Sequence, residues 1–213
     1  DVDAAEADDE LDLIQTGATD AARAVVDAAR RGDARTALDA LGAFRVLCAH
    51  RRGPHGVESW MAQIEAWLAE TIPGFGTEGP WYPGRPLLVT ENDYGLRLYN
   101  GDTGVVVTTD AVRVTATFER RGELVQYRPS RLGAIETVYA MTVHKSQGSQ
   151  FDTAAVPLPP PTSQILTREL LYTAVTRARK HLVLAGTEES VRAAVDRPVA
   201  RASGLRWRLW GES

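Results

Sequence analysis

The chain has 213 residues, 44% apolar and 24% charged, with a net charge of −4, the balance of an ordinary globular fold of one domain carrying a small insertion. No run approaches the ~18 consecutive apolar residues of a membrane-spanning helix, so no membrane association is expected. One cysteine, Cys48, excludes an intramolecular disulfide and a Cys-rich zinc site, and favours the cytoplasm.

The first residues, DVDAAEADDELD, form an acidic leader unlike a signal or transit peptide. Residues 1–12 hold seven acids and no base, and the remainder carries 24 basic and 21 acidic side chains, net +3, so nucleic acid is not excluded. Thr19–Asp33 shows the i, i+3, i+4, i+7 pattern of an amphipathic helix in Ala22, Val25, Val26 and Ala29, ended by Gly32. Asp33–Ala43 predicts a second short helix. Phe44–Ala49 predicts a buried strand, RRGP a loop, and Val57–Ile72 a helix with Trp60, Ile64, Trp67 and Leu68 on one side. GFGTEGPWYPGRP reads as loop and Pro86–Thr90 as a strand. From Asp93 to Arg128, short apolar runs and the turn signals Asn100-Gly101 and Arg121-Gly122 predict a small antiparallel module, barrel-like in size. An α/β texture then returns: strands at Glu136–Ala140 and Asp152–Leu158, a helix over Thr167–Lys180, a strand over His181–Gly186 and a helix over Thr187–Val195.

The expected fold is α/β: a mostly parallel sheet with helices on both faces, interrupted by a small antiparallel β barrel. The expected division is 1–89, 90–134 and 135–213, the middle segment being the β insertion.

Few patterns point to chemistry. Only Lys145 and Lys180 are lysine, and neither follows a glycine, so the chain holds no G-x-x-x-x-G-K-[ST] phosphate loop. Gly74, Gly76 and Gly79 match G-x-G-x-x-G, yet a helix precedes them and PWYP follows, which is the wrong context for a dinucleotide site. Cys48, His50 and His55 lack a fourth ligand nearby, so no metal site is expected. TVHKSQGSQFD (142–152) follows a strand and is dense in hydroxyls, amides and one cation, as phosphate-facing loops are. In LTRELLYTAVTRARKHLVLAG (166–186), Leu171, Ala174, Val175 and Ala178 form an apolar stripe, with Arg177 and Arg179 on its opposite borders. The tail RWRLW (206–210) interleaves arginine with tryptophan, a pattern of base stacking or of interface anchors.

Four of these segments resemble one family. TVHKSQGSQFD resembles motif V and LYTAVTRARKHLVLAG motif VI of superfamily 1 DNA helicases, while FRVLCAHRRGPHGVESWM and RPLLVTENDYGLRLYNGDTG resemble the motif IV region and the segment opening the SH3-like insertion of the RecD branch. They stand in the family's order from Phe44 to Gly186. The resemblance implies a RecA-like second motor domain with an SH3-like insertion. It implies that ATP and Mg²⁺ are bound mainly by a preceding N-terminal helicase domain that holds the phosphate loop, so this chain alone is expected to be inactive. Its partners would be that domain, single-stranded DNA and the helicase-nuclease subunits of an exodeoxyribonuclease V complex, in 5′-to-3′ translocation during double-strand-break repair.

Carried over residue by residue, the resemblance makes Arg177 and Arg52 the catalytic arginines of motifs VI and IV. Gly148, Gln150 and Gln147 become nucleotide-side residues of motif V, with Gln150 replacing the Glu of many members. Thr142, His144 and Ser146 become the DNA-side residues. A reading from another class stays open: a non-catalytic module that binds DNA or protein through its β barrel.

Overall fold

The structure is a computed structural model and describes residues 2–77, 79–110 and 113–199. Its elements in chain order are α1 (Val2–Arg30), α2 (Ala34–Leu41), β1 (Phe44–Cys48), α3 (Val57–Thr71), β2 (Pro86–Val89), β3 (Thr103–Thr108), β4 (Val114–Arg120), β5 (Glu123–Tyr127), β6 (Ile135–Thr137), β7 (Ala140–Thr142), β8 (Phe151–Pro157), α4 (Arg168–Val175), β9 (Ala178–Ala185) and α5 (Glu188–Asp196). Three helices start on side-chain caps. Asp33 accepts from the Thr36 amide (3.1 Å), Thr167 from Leu170 (3.3 Å) and Thr187 from Ser190 (3.2 Å).

The strands sort into two sheets. One has the order β7-β1-β8-β9, and every pairing in it is parallel. Successive residues of its strands face opposite sides. Val46, Cys48, Ala140 and Ala155 pack beneath α1 and α3, against Ile14, Ala18, Val26, Ile64, Trp67 and Leu68. Leu47, Met141, Ala154 and Val156 face α4 and α5, against Leu170, Ala174 and Ala194. Burial on both faces explains why FRVLC, apart from Arg45, is apolar on both sides rather than alternating.

The second sheet is antiparallel, with the order β5-β4-β3-β2-β6. Leu87, Val89, Leu98, Val106, Ala116 and Phe118 fill one side. From the other side Val105 and Val107 press on Val25, Ala28 and Ala29 of α1 and Ala34 and Ala37 of α2. The β4–β5 hairpin turns at Arg121 and Gly122, both with positive φ (49° and 84°), as the expected two-residue turn requires. The hydrogen-bonded order ends at β5 and β6, and these two do not pair among the described residues. The expected insertion therefore appears as an open five-stranded sheet.

Several expectations need correction. The acidic leader is no separate segment: from Val2 it is the first part of α1, a single helix to Arg30. The run read as one strand, Glu136–Ala140, is two strands in different sheets, because β6 pairs with β2 while β7 pairs with β1. Pro86–Val89 and Ile135–Thr137, expected in the outer segments, are also strands of the antiparallel sheet, which thus runs from Pro86 to Thr137 rather than over 90–134. The helix expected to reach Lys180 stops at Val175, because Ala178 already pairs with Phe151. The RWRLW tail lies outside the described residues. Among the described residues no helix is long and apolar enough to cross a membrane.

Candidate functional site

Parallel topology decides where the candidate residues go. β7 and β8 both run alongside β1, so the segment between them must leave the C-terminal edge of the sheet and re-enter at its N-terminal edge. Residues 143–150 make that crossing on the α4 side. Val143 is fully buried in the core there, and its amide donates to the Cys48 carbonyl (3.0 Å). The crossing loop thus has one end at each edge and splits the motif V candidates into two groups.

At the N-terminal edge the loop meets Arg177, just past the α4 cap residue Thr176. The Phe151 amide donates to the Arg177 carbonyl (2.8 Å), which levels the two chain segments. The Arg177 guanidinium donates from Nη1 to the Ser149 carbonyl (3.1 Å), from Nε to the Thr173 carbonyl (3.2 Å) and from Nη2 to Thr176 Oγ1 (3.1 Å). One half-buried side chain thus clasps the end of α4 to the crossing loop. Gly148 sits at the bend with φ +89°, where a side chain would be strained although the space above it is open. Gly148, Ser149 and Gln150 line a cleft of about 370 Å³ together with Arg45 and Arg179. Gln147 is exposed.

Arg179 does not share a helix with Arg177. It lies in β9 and reaches Asp152 (3.9 Å), whose other oxygen holds Lys180 Nζ at 2.8 Å. Lys180 pairing holds the Asp152 carboxyl below its usual range. The opposite-border reading of the two arginines fails because the helix ends before either of them.

At the C-terminal edge stand Thr142, His144 and, past the end of β1, Arg51 and Arg52. Thr142 Oγ1 accepts from the Lys145 amide (3.2 Å), and His144 is exposed. Ser146 does not belong with them: its side chain is fully buried and its hydroxyl donates to the Val143 carbonyl (2.7 Å), so it cannot meet a DNA strand. Nor does the structure bring Arg52 to Arg177. Arg52 follows the C-terminal end of β1 and Arg177 precedes the N-terminal end of β9, so at ~3.3 Å per residue they are about 15 Å or more apart along the strands.

Arg52 pairs instead with Glu58 of α3 (3.4 Å). Arg51 lies 3.9 Å from Glu58 and 3.6 Å from Glu136, and Lys145 lies 3.3 Å from Glu136. Three cations and two carboxylates therefore form one exposed network. It flanks a cleft of about 430 Å³ floored by Met61, Ala62, Leu88 and Met141.

Sequence reading missed this network. The Arg51-Arg52 pair directly after an apolar strand was its one legible signal; nothing local marks Glu136. Also missed was Arg45, at 2% exposure. Its guanidinium donates to the carbonyls of Val138 and Leu41 and lies 5.2 Å from the Phe151 ring centre, while Nε has no partner. Burial lowers its pKa to about 10, so it stays charged at neutral pH.

Burial pushes the Cys48 thiol up to about 12, and His50 Nε2 lies 3.2 Å from Ser163 Oγ, which ties together the loops after β1 and β8. Among the described residues no group of three His, Cys, Asp or Glu side chains could hold a metal. The Gly74–Gly79 run stands between α3 and β2, with no helix opening after it.

Residues 137–185 match the UvrD-like helicase C-terminal domain family. The chain is 54% identical over 183 residues to the RecBCD enzyme subunit RecD of Mycolicibacterium smegmatis, covering 85% of this chain and 32% of that one. It is 52% identical to the RecD subunit of Mycobacterium tuberculosis, covering 86% of this chain and 32% of the relative. It is also 35% identical to the ATP-dependent RecD2 DNA helicase of Deinococcus radiodurans, covering 68% and 20%. The chain thus spans about a third of the length of the RecD subunits it matches.

Proposed function

From this RecD likeness, which extends over most of the chain, we propose that it is the second motor domain of a RecD-type ATP-dependent DNA helicase. The parallel sheet and its helices form the RecA-like body, and the antiparallel sheet is the SH3-like insertion. One observation supports the reading: the Arg177 guanidinium is held at the N-terminal-edge end of the crossing loop by the carbonyl of Ser149, which stands between Gly148 and Gln150 in the chain. A guanidinium bonded to a loop whose glycine leaves the space above the backbone open is an arrangement that an anionic phosphate can use.

In the working protein a preceding domain holds ATP and Mg²⁺. The described residues of this chain offer donors for phosphate but no carboxylate cluster for the metal. When the two domains close on ATP, Arg177 turns from the Ser149 carbonyl toward the γ-phosphate and stabilises the charge that spreads over its oxygens in the transition state. Gly148 lets the backbone approach, and Gln150 accepts a ribose hydroxyl without adding charge. Releasing the Ser149 carbonyl loosens the crossing loop, whose other end, at Thr142 and His144, grips the DNA backbone. Hydrolysis and grip are coupled by one eight-residue segment. Cycles of closure would move the domain 5′ to 3′ along a single strand, within a helicase-nuclease complex serving double-strand-break repair.

The test is turnover in the complete helicase. Arg177→Ala should lower kcat by on the order of 10³-fold or more, and Arg177→Lys should rescue poorly because it lacks the planar fork. The isolated chain should show no DNA-stimulated ATPase. Near wild-type turnover by Arg177→Ala would leave the adaptor reading, in which the clasp is purely structural.

A further inference from the structure

Glu136 occupies an unusual position. It belongs to β6, at the edge of the antiparallel sheet, yet its two oxygens reach two cations rooted in the parallel sheet. Oε1 lies 3.6 Å from Arg51 Nη2, beyond β1, and Oε2 lies 3.3 Å from Lys145 Nζ, beyond β7. Glu58 repeats the pattern from α3, with Oε1 at 3.9 Å from Arg51 and 3.4 Å from Arg52. Each carboxylate therefore sits between two cations drawn from the loops at the C-terminal edge, as a bridging phosphate would.

We propose that Glu136, with Glu58 beside it, is a built-in phosphate mimic: it holds Arg51 and Lys145 in place of DNA and must be displaced when a single strand binds. The proposal rests on the DNA reading of the Thr142–Lys145 loop and adds Arg51, Arg52 and Lys145 as the cations that meet the strand. Three features support it. The network is charge-matched for a polyanion, since removing the two carboxylates leaves three neighbouring cations. It is exchangeable, because Glu136, Lys145 and Arg51 are 48%, 43% and 68% exposed, where an ion pair adds little stability and is readily traded. An incoming phosphate also gains from counterion release, which an internal carboxylate cannot supply. The mimic comes from the inserted sheet, so that sheet sets the threshold for DNA binding without touching the strand.

The experiment is fluorescence anisotropy of the 213-residue chain with unrelated single-stranded oligonucleotides at several salt concentrations. Glu136→Gln keeps the shape and removes the charge, and should bind about two- to fivefold more tightly, the fold-change expected from losing one exposed competing pair. Its salt slope should steepen by about 0.7 for each cation newly free to meet phosphate. Glu58→Gln should show a smaller gain. Lys145→Ala should weaken binding in both backgrounds, and more in Glu136→Gln than in wild type, because Glu136 no longer masks the lysine. Unaltered circular dichroism keeps the comparison one of binding. If wild type binds and Lys145→Ala weakens it, but Glu136→Gln binds no more tightly, the mimic is overturned and the DNA reading stands. If wild type binds while Lys145→Ala and Arg51→Ala change nothing, the strand lies elsewhere and the proposal falls. If neither wild type nor Glu136→Gln binds any oligonucleotide, the DNA reading fails and takes the mimic with it.

Discussion

Arg177 and the cations at the C-terminal edge of the parallel sheet are held in opposite ways. At the N-terminal edge Arg177 is half-buried and bound to the Ser149 and Thr173 carbonyls and to a neighbouring hydroxyl. At the C-terminal edge Arg51, Arg52 and Lys145 are exposed and bound to carboxylates. A carbonyl fixes a guanidinium by geometry and leaves its full charge for a ligand. A carboxylate cancels the charge and surrenders it only to a stronger anion. The first arrangement suits a single, precise phosphate contact, and the second suits a strand that comes and goes.

The largest effect that could break this contrast is in turnover. On the proposed helicase reading, Arg177→Ala in the full-length protein should cost on the order of 10³-fold in kcat. Arg52→Ala, at the other edge, should leave kcat at saturating DNA within about tenfold and act on DNA affinity instead. Equal losses of kcat would show that the edges do not divide the work. Truncating Arg177 should also destabilise the chain. The sequence placed it only on the border of an apolar stripe, but its charged hydrogen bonds to backbone are worth about 1–3 kcal/mol, and urea midpoints will register that.

Next in size is Arg45, buried near the start of β1 at the N-terminal edge. Arg45→Ala removes a buried side chain and orphans the Leu41 and Val138 carbonyls, for a loss of about 2–4 kcal/mol in urea unfolding. A loss under about 1 kcal/mol would mean that the site collapses without it. Gly148→Ala is smaller. At φ +89° an alanine costs about 1–2 kcal/mol, and it should slow turnover without touching DNA affinity if the loop's two ends serve different ligands.

The smallest effect is on pH dependence. The Asp152 carboxyl, held low by Lys180, favours the folded state above the unfolded value of about 3.9 and loses that contribution as pH falls through its lower folded value. Lys180→Ala should flatten the acid limb of thermal stability below about pH 4. An unchanged limb would show that the pair is fully screened.

Much of this was legible in the sequence. Short runs rich in apolar residues located β1 and β8, since strands buried on both faces show little alternation. Asp33, Thr167 and Thr187 marked helix starts by chemistry that acts locally. The turn at Arg121-Gly122 was equally local. What failed depended on distant partners. Nothing between Thr167 and Lys180 breaks a helix; pairing of Ala178 with Phe151 does. Ser146 is as polar as its neighbours, and only the path of the crossing loop under α4 turns it inward. The acidity of the first residues suggested a separate leader, although Ala, Glu and Leu are good helix formers. Arg52 was placed with Arg177 by family likeness, and parallel topology set them at opposite edges.

The order β3-β2-β6 has a consequence for how such a molecule is assembled. The first and last strands of the antiparallel sheet are hydrogen-bonded to each other, with Leu87 opposite Thr137 and Val89 opposite Ile135. The chain therefore leaves the parallel body and returns to it at almost the same point. Closing so narrow a gap costs little more for a long excursion than for a short one, because loop entropy grows only with the logarithm of length. An ancestor with a tight turn in place of residues 90–134 would have had the same entry and exit. The first sheet could therefore carry a second one between β2 and β6 without being rebuilt.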